Sequence, residues 1–246
     1  MPTIFLSPST QQFNPYITGG NEELWMNRLA DEMVPYLTSS GIQYTRNDPN
    51  GTAADAIRLS NQGNYDLHLG LHSNAAPPSQ SGEYRGIFVY YYPGSAKGMR
   101  AARIIGNNLK KIYPIPDNVR IESNTTIGEV RLPKAPSVFL EIGYHDNADD
   151  ATWVTNNLNL IAQNIASSLA QYFGIPFLYP VAPRNGVVDI TSGYLNIRSR
   201  PNTSAAVIAK AYDGARLTVI NQWNGWYLVR FDDVIGYASA QYIDIV

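Results

Sequence analysis

The sequence of 246 residues contains no cysteine. Disulfide bonds and thiolate metal sites are therefore excluded, and any metal ion must be bound by histidine, carboxylate or neutral oxygen ligands. Neither sign of charge dominates, because 18 Lys and Arg residues are balanced by 20 Asp and Glu residues, for a net charge of −2. This balance creates no basic field for nucleic acid or an anionic membrane, and we predict neither as a partner.

Long apolar runs are also missing, and no segment approaches the length needed to span a bilayer. The first ten residues, MPTIFLSPST, lack the basic segment and the long apolar segment of a signal peptide. We interpret their apolar run as the first buried strand of the fold.

Strands alternate with helices over the first 175 residues. Apolar and β-branched runs predict strands at residues 3–6, 42–46, 65–72, 86–92 and 137–142. Helical periodicity and end signals predict helices at residues 21–41, 52–62, 97–112 and 149–173. This alternation predicts an α/β domain with a mostly parallel sheet flanked by helices.

The composition changes near Gly174. Residues 176–185 contain three prolines and no helical period, which predicts a linker. Residues 186–246 contain short strands separated by turns such as Asn224-Gly225, which predict a small all-β barrel. The predicted organisation is therefore an α/β domain at 1–175, a proline-rich linker at 176–185 and a β domain at 186–246.

The stretch DLHLGLHSNAA, Asp66–Ala76, organises the first domain. Leucines alternate with His68, Gly70 and His72, so both histidines project from the same face of a strand. A histidine that ends a central strand lies where open α/β sheets place their chemistry. A core histidine bonded to a backbone carbonyl is the alternative interpretation.

Two carboxylates are candidates to act with this histidine. Glu141 lies inside the apolar run SVFLEI, where an unpaired carboxylate is costly to bury. It indicates either a chemical role or a salt bridge to a core arginine. Glu22 begins the first helix, where a carboxylate also interacts favourably with the helix dipole, and the adjacent Glu23 competes for the same role.

The order and spacing of these residues resemble the zinc-dependent N-acetylmuramoyl-L-alanine amidases with a single-sheet α/β catalytic domain. The resemblance covers about residues 1–175. HSNA at His72–Ala75 resembles the family's strand-end histidine motif, and APSVFLEIGYHDN at Ala135–Asn147 resembles the segment with the catalytic glutamate. Glu22 is similar in position to the glutamate ligand.

The resemblance implies one Zn²⁺ held by two histidines and one glutamate, with Glu141 as the general base. The bond cleaved would be the amide between the lactyl group of N-acetylmuramic acid and L-alanine of the stem peptide. Bacterial peptidoglycan is then the partner, and the expected location is extracellular or associated with the cell wall. The delivery route stays open, because no signal peptide is visible.

The chain departs from the family after the first strand, where a histidine is expected and SPSTQQ stands instead. His68 precedes His72 by four strand residues, roughly 13 Å, and cannot share its metal. The expected ligands are Glu22, His72 and, less securely supported, His145; the alternatives for the third ligand are Gln11, Thr10 and Glu23.

Two hypotheses follow from this departure. One is a working zinc amidase with a rearranged ligand set, in which Asn74 and Arg46 contact substrate. The other is a degenerate amidase fold that binds muropeptides without cleaving them. The intact Glu22, His72 and Glu141 favour the enzyme, because a binding groove does not require a buried general base.

The C-terminal segment resembles a bacterial SH3-like domain, most specifically in LNIRSRP and in NGWYLVRF. Members of that family bind cell-wall peptides, so the resemblance implies a targeting role. Candidates for a recognition surface are Trp226 and Tyr227, together with Trp223 and Tyr237. The alternative is that these rings fill a small core.

Overall fold

A computed structural model describes residues 1–246. The helices are α1 Glu22–Ser39, α2 Ala53–Gln62, α3 Ala96–Leu109, α4 Gly128–Arg131, α5 Ala148–Asn156 and α6 Leu158–Phe173. The strands of the first sheet are β1 Thr3–Pro8, β2 Gln43–Arg46, β3 Leu67–Asn74, β4 Ile87–Tyr91, β5 Val119–Ser123 and β6 Ser137–Tyr144. Those of the second sheet are β7 Arg184–Val188, β8 Leu195–Arg198, β9 Val207–Ala211, β10 Arg216–Trp223, β11 Trp226–Phe231, β12 Val234–Ser239 and β13 Ile243–Ile245.

The first sheet has the order β2-β1-β3-β6-β4-β5. β1 pairs with β3, β3 with β6 and β4 with β5 in parallel, while β4 and β6 are antiparallel. The predicted fold, a mostly parallel sheet flanked by helices, is therefore confirmed, with one antiparallel pairing that the pattern did not predict.

The register of this sheet places the candidate residues side by side. His72 on β3 is the neighbour of Glu141 on β6, and Glu141 is the neighbour of Phe88 on β4. Paired residues on adjacent strands project from the same face. The opposite face is apolar, with fully buried side chains such as Leu71 and Leu140.

Local signals explain where several helices begin. Asn21 accepts a hydrogen bond from the backbone N–H of Leu24 at the start of α1, as a capping residue does. Thr52 and Asp55 form a reciprocal capping box at the start of α2.

Three elements differ from the sequence prediction. The helix predicted at 149–173 is two helices, α5 and α6, because Asn157 leaves the helical conformation and its side chain bonds the carbonyl of Trp153. Strand β5 and the short helix α4 were not predicted. Helix α4 matters most, because it carries Glu129.

The second sheet contains seven strands in the order β13-β7-β10-β11-β12-β8-β9, and every pairing with a defined register is antiparallel. The all-β prediction is confirmed. Asn224 and Gly225 both have positive φ, of 44° and 81°, between the paired Trp223 and Trp226. Two such residues form the tight turn that matches the twist of a hairpin.

The chain divides into two units, of which one comprises residues 2–34 and 44–173. The other comprises Met1, residues 35–43 and residues 174–246. The domain boundaries at 175 and 186 stay predictions. Across the chain, no helix combines the length and the apolar character that a membrane span requires.

Candidate active site

His72 lies at the end of β3 with only 5% of its surface exposed, between two carboxylates. Its Nδ1 is 2.9 Å from Oε1 of Glu22, and its Nε2 is 3.1 Å from Oε2 of Glu129. The ring of Phe139 stacks on the imidazole at a centroid distance of 4.3 Å. Burial lowers the pKa of His72, but the hydrogen bonds and charges of Glu129 and Glu22 outweigh burial and raise this pKa to about 10.

Glu22 rather than Glu23 is the first-helix carboxylate that meets the histidine. Its side chain is 1% exposed, and its Oε2 accepts a hydrogen bond of 2.6 Å from Nδ2 of Asn14. Burial raises the pKa of Glu22, but the bond to His72 and its charge, with Asn14, lower it below the usual value. The side chain of Glu23 makes no hydrogen bond to His72; its backbone carbonyl accepts from Asn27.

Glu129 is a buried member of the site that the sequence prediction missed. Its Oε1 accepts a bond of 2.5 Å from the hydroxyl of Ser7 and lies 3.1 Å from Nε2 of His68. Burial raises the pKa of Glu129, but the bonds from His68 and His72 hold this pKa well below the usual range. A histidine at position 68 of a buried strand was the only feature of the sequence that indicated a polar partner. No local pattern identified Glu129 as that partner.

His68 belongs to the core behind the site, as its distance from His72 along the strand indicated. Its Nδ1 lies 2.9 Å from the hydroxyl of Ser60 on α2, and it is fully buried. A continuous polar chain therefore runs from Ser60 through His68, Glu129 and His72 to Glu22.

Glu141 has the properties of a proton acceptor without a partner. Its Oε2 is buried and makes no hydrogen bond, and no arginine pairs with this carboxylate. Burial raises the pKa of Glu141 to about 8, against the opposing charge of His72. The core salt bridge considered as an alternative is therefore absent, and the carboxylate lies beside His72 on the same face of the sheet.

His145 makes no hydrogen bond to Glu22 or His72, and its place in the ligand set stays a prediction. Its Nδ1 lies 3.2 Å from both the hydroxyl and the carbonyl oxygen of Ser73, and its ring stacks on Tyr16. In the whole chain, no group of three His, Cys, Asp or Glu side chains is arranged to hold a metal ion.

Gln11 is the third side chain beside His72. Its amide nitrogen lies 3.3 Å from Nδ1 of His72, and its Oε1 accepts a bond of 3.0 Å from Asn14. A half-turn of the amide exchanges these two atoms, which brings a neutral oxygen donor to the imidazole. Thr10, the residue at the position of the missing histidine, makes no side-chain hydrogen bond to either Glu22 or His72.

The two residues expected to contact substrate have structural partners. The guanidinium of Arg46 bonds Asp31 at 2.5 Å and Asn27 at 2.7 Å, both on α1. Asn74 accepts a bond from the backbone N–H of Ala75 at the end of β3, and it is partly exposed. Their contacts with substrate stay predictions.

The aromatic candidates of the second sheet separate into two groups. Trp226 and Tyr227 are consecutive on β11 and therefore project from opposite faces. Trp226 lines a cavity of about 630 Å³ with Tyr194 and Tyr242, whereas Tyr227 packs against the core. Tyr237 is fully buried, so its proposed place on a recognition surface is wrong; Trp223 is exposed.

Comparison with known families identifies both parts of the chain. The profile of the family described as N-acetylmuramoyl-L-alanine amidase, Amidase_3, matches residues 14–171, and the chain belongs to this family. The profile described as bacterial SH3 domain matches residues 193–244. The Amidase_3 family is generally zinc-dependent.

Several solved structures share the fold. The amidase AmiC2 of Nostoc punctiforme covers 70% of this chain and 97% of its own, with 17% identity and a TM-score of 0.62. The catalytic domain of CwlV from Bacillus (Paenibacillus) polymyxa var. colistinus covers 72% and 100%, with 17% identity and a TM-score of 0.60. The catalytic domain of the CD27L endolysin, described as targeting Clostridia difficile, covers 70% and 98%, with 19% identity and a TM-score of 0.57.

A curated relative from Bacillus subtilis strain 168, YrvJ, is 34% identical over 62 residues. The match covers 25% of this chain and 12% of the relative, so this chain corresponds to a small part of that protein's length.

Proposed function

We propose that this chain is a peptidoglycan hydrolase that cleaves the amide between the lactyl group of N-acetylmuramic acid and L-alanine of the stem peptide. The observation that carries the proposal is Glu141, a partly buried residue whose Oε2 is buried and has no hydrogen-bond partner, next to His72 in the register of the sheet. A carboxylate that has a raised pKa and lies beside other charged side chains is typical of sites that perform general acid–base catalysis.

We propose a single Zn²⁺ as the cofactor. The donors that fit it are Glu22 and His72, which already meet, with Gln11 as a neutral third donor. A zinc ion would replace the proton that Nδ1 of His72 shares with Glu22, while Glu129 on Nε2 holds the imidazole ring in place. Zinc in this position would supply a Lewis acid for the scissile carbonyl.

The protein's own residues then account for the proton movements. In its ionised form, which predominates only above a pH of about 8, Glu141 accepts a proton from the attacking water as the new C–O bond forms at the lactyl carbonyl. It returns that proton to the nitrogen of L-alanine as the C–N bond breaks, so that the amine leaves neutral.

Glu141→Gln tests the catalytic role. The substitution keeps the shape but removes the proton acceptor, so we expect release of stem peptide from muropeptide to fall by about 10²–10⁴-fold, with bound zinc unchanged. Mass spectrometry of the products and metal analysis of the protein measure the two quantities. The matched control is Glu32→Gln, which makes the same substitution at an exposed position of α1.

The two hypotheses give different results in this experiment. A wild-type chain that contains no zinc and releases no product at high protein concentration would be the non-catalytic muropeptide binder. Undiminished cleavage by Glu141→Gln would contradict the assignment of the base.

Gln11→Ala tests the third ligand by metal affinity alone. We expect the zinc dissociation constant to rise at least about 10-fold, because a donor to the ion is lost. We expect His145→Ala to leave this constant unchanged. Competition against a chromophoric chelator measures it. Equal losses in both variants would contradict the assignment of Gln11.

We further propose that the bacterial SH3-like part directs the chain to the cell wall, and that the enzyme acts at or outside the cell surface. The support is the family match at residues 193–244 together with the aromatic cavity that contains Trp226.

A further inference from the structure

Four aromatic rings form a continuous row on the candidate side of the first sheet. Tyr84 stacks on Tyr144 at a centroid distance of 6.0 Å, Tyr144 meets Phe88 edge-on at 6.5 Å, and Phe88 stacks on Tyr90 at 5.5 Å. Tyr84 is 43% exposed, and Phe88 and Tyr90 are partly exposed, while Tyr144 is the buried link. We call these four residues the aromatic row.

The aromatic row passes directly beside the proposed base. Phe88 is the register neighbour of Glu141, and Tyr144 follows Glu141 by three residues along β6. Tyr90 lies two residues from Phe88 on the same face of β4, further from the base along that strand. A molecule whose reacting bond lies at Glu141 would therefore extend over these rings on one side.

Charged side chains border the row. The guanidinium of Arg120 lies over the Phe88 ring, 5.4 Å from its centroid, and Glu122 is the register neighbour of Tyr90. Both Arg120 and Glu122 are exposed. Ring faces flanked by a donor and an acceptor suit a ligand that has an apolar face and a hydroxylated edge.

We propose that the aromatic row is the subsite for the N-acetylated pyranose rings of the glycan strand. The C–H face of a pyranose stacks on an aromatic ring, while its hydroxyl and acetamido groups reach Arg120 and Glu122. This inference rests on the proposed function, and it assigns the two sides of the scissile amide to different parts of the site.

The chemistry of the two sides favours the sugar over the peptide at this subsite. The muramic acid on one side of the amide carries a ring with an apolar face, whereas the peptide side begins with L-alanine, which has no ring to stack. Across Glu141 from the row, beyond His72 and Glu22, lies the partly exposed amide of Asn14, which suits the N–H and C=O groups of a peptide.

Binding of a peptide-free tetrasaccharide of alternating N-acetylglucosamine and N-acetylmuramic acid tests the subsite. This probe contains no scissile amide, so the wild-type chain of 246 residues can be used in calorimetry. We expect Tyr84→Leu and Phe88→Leu each to weaken binding roughly 3- to 10-fold, because each substitution removes one stacking face and keeps apolar bulk. The matched control is Tyr44→Leu, an exposed tyrosine on β2, for which we expect no change.

Several outcomes would overturn the subsite. One is an unchanged affinity for the tetrasaccharide in folded Tyr84→Leu and Phe88→Leu. Another is that these variants lose affinity for free stem peptide instead. A third is loss of tetrasaccharide binding only in Trp226→Ala, which would place the sugar site in the second sheet. Thermal unfolding confirms that each variant is folded.

The same measurements separate this inference from the proposed function. If the tetrasaccharide binds through the row but muropeptide is never cleaved, the subsite stands and the hydrolase fails. If muropeptide is cleaved with unchanged KM by Phe88→Leu, the hydrolase stands and the subsite fails.

Discussion

His72 is held by one carboxylate on each ring nitrogen, and this is the central fact of the site at the residue scale. An imidazole with two partners has a fixed ring plane and a fixed set of protonated nitrogens. Glu129 supplies this constraint from the core side, with His68 and Ser7 satisfying its other oxygen. We therefore regard Glu129 as a positioning residue that acts through His72.

Glu129→Gln is expected to lower the free energy of unfolding by about 2–3 kcal/mol, because bonds from two buried imidazoles lose their charged acceptor. Urea denaturation at neutral pH measures the change. The exposed substitution Glu32→Gln should stay within about 0.5 kcal/mol of wild type. A loss no larger in Glu129→Gln than in this control would contradict the role of the buried carboxylate.

At the scale of elements, the close approach of β3 and β6 sets the position of the imidazole. Gly70 on β3 is the register neighbour of Phe139 on β6, and the Phe139 ring covers the position of a Gly70 Cβ. The same ring stacks on His72. Only a residue without a side chain leaves the ring in place.

Gly70→Ala would place a Cβ 2.7 Å from Cδ2 of Phe139. We expect a loss of about 1–3 kcal/mol in unfolding free energy, because the ring must move in a packed interior, and a shift of the His72 ring signals in NMR spectra. Gly128→Ala is the matched control, since its nearest neighbour, Cδ1 of Ile57, would lie at an ordinary 3.4 Å. Indistinguishable stabilities of the two variants would count against this packing argument.

At the scale of the whole molecule, hydrolysis and wall binding are assigned to different sheets. The candidate site lies entirely within residues 2–34 and 44–173, and the aromatic cavity lies within residues 174–246. The two activities should therefore respond to different substitutions.

Trp226→Ala combined with Tyr194→Ala removes two rings that line this cavity. We expect weaker sedimentation with whole cell walls and unchanged kcat/KM on soluble muropeptide, because the first sheet is untouched. Tyr179→Ala, at an exposed tyrosine that does not line the cavity, is the control. Sedimentation equal to that of wild type would remove the targeting role from the cavity.

The sequence by itself determined the class of fold and two of the central side chains. Period-two alternation places His68 and His72 on one strand face, and the apolar run around Glu141 indicates a buried carboxylate. These features depend on neighbours along the chain, so local patterning is sufficient to predict them.

Only the tertiary structure decided which distant groups meet these side chains. Glu129 reaches His72 across 57 residues, and Ser7 reaches Glu129 across 122. His145, four residues after Glu141, bonds Ser73 and not His72 or Glu22, and Phe88 lies next to Glu141 because β4 enters the sheet antiparallel to β6. Strand order and direction arise from the packing of the whole sheet, and no local pattern of apolar residues specifies them.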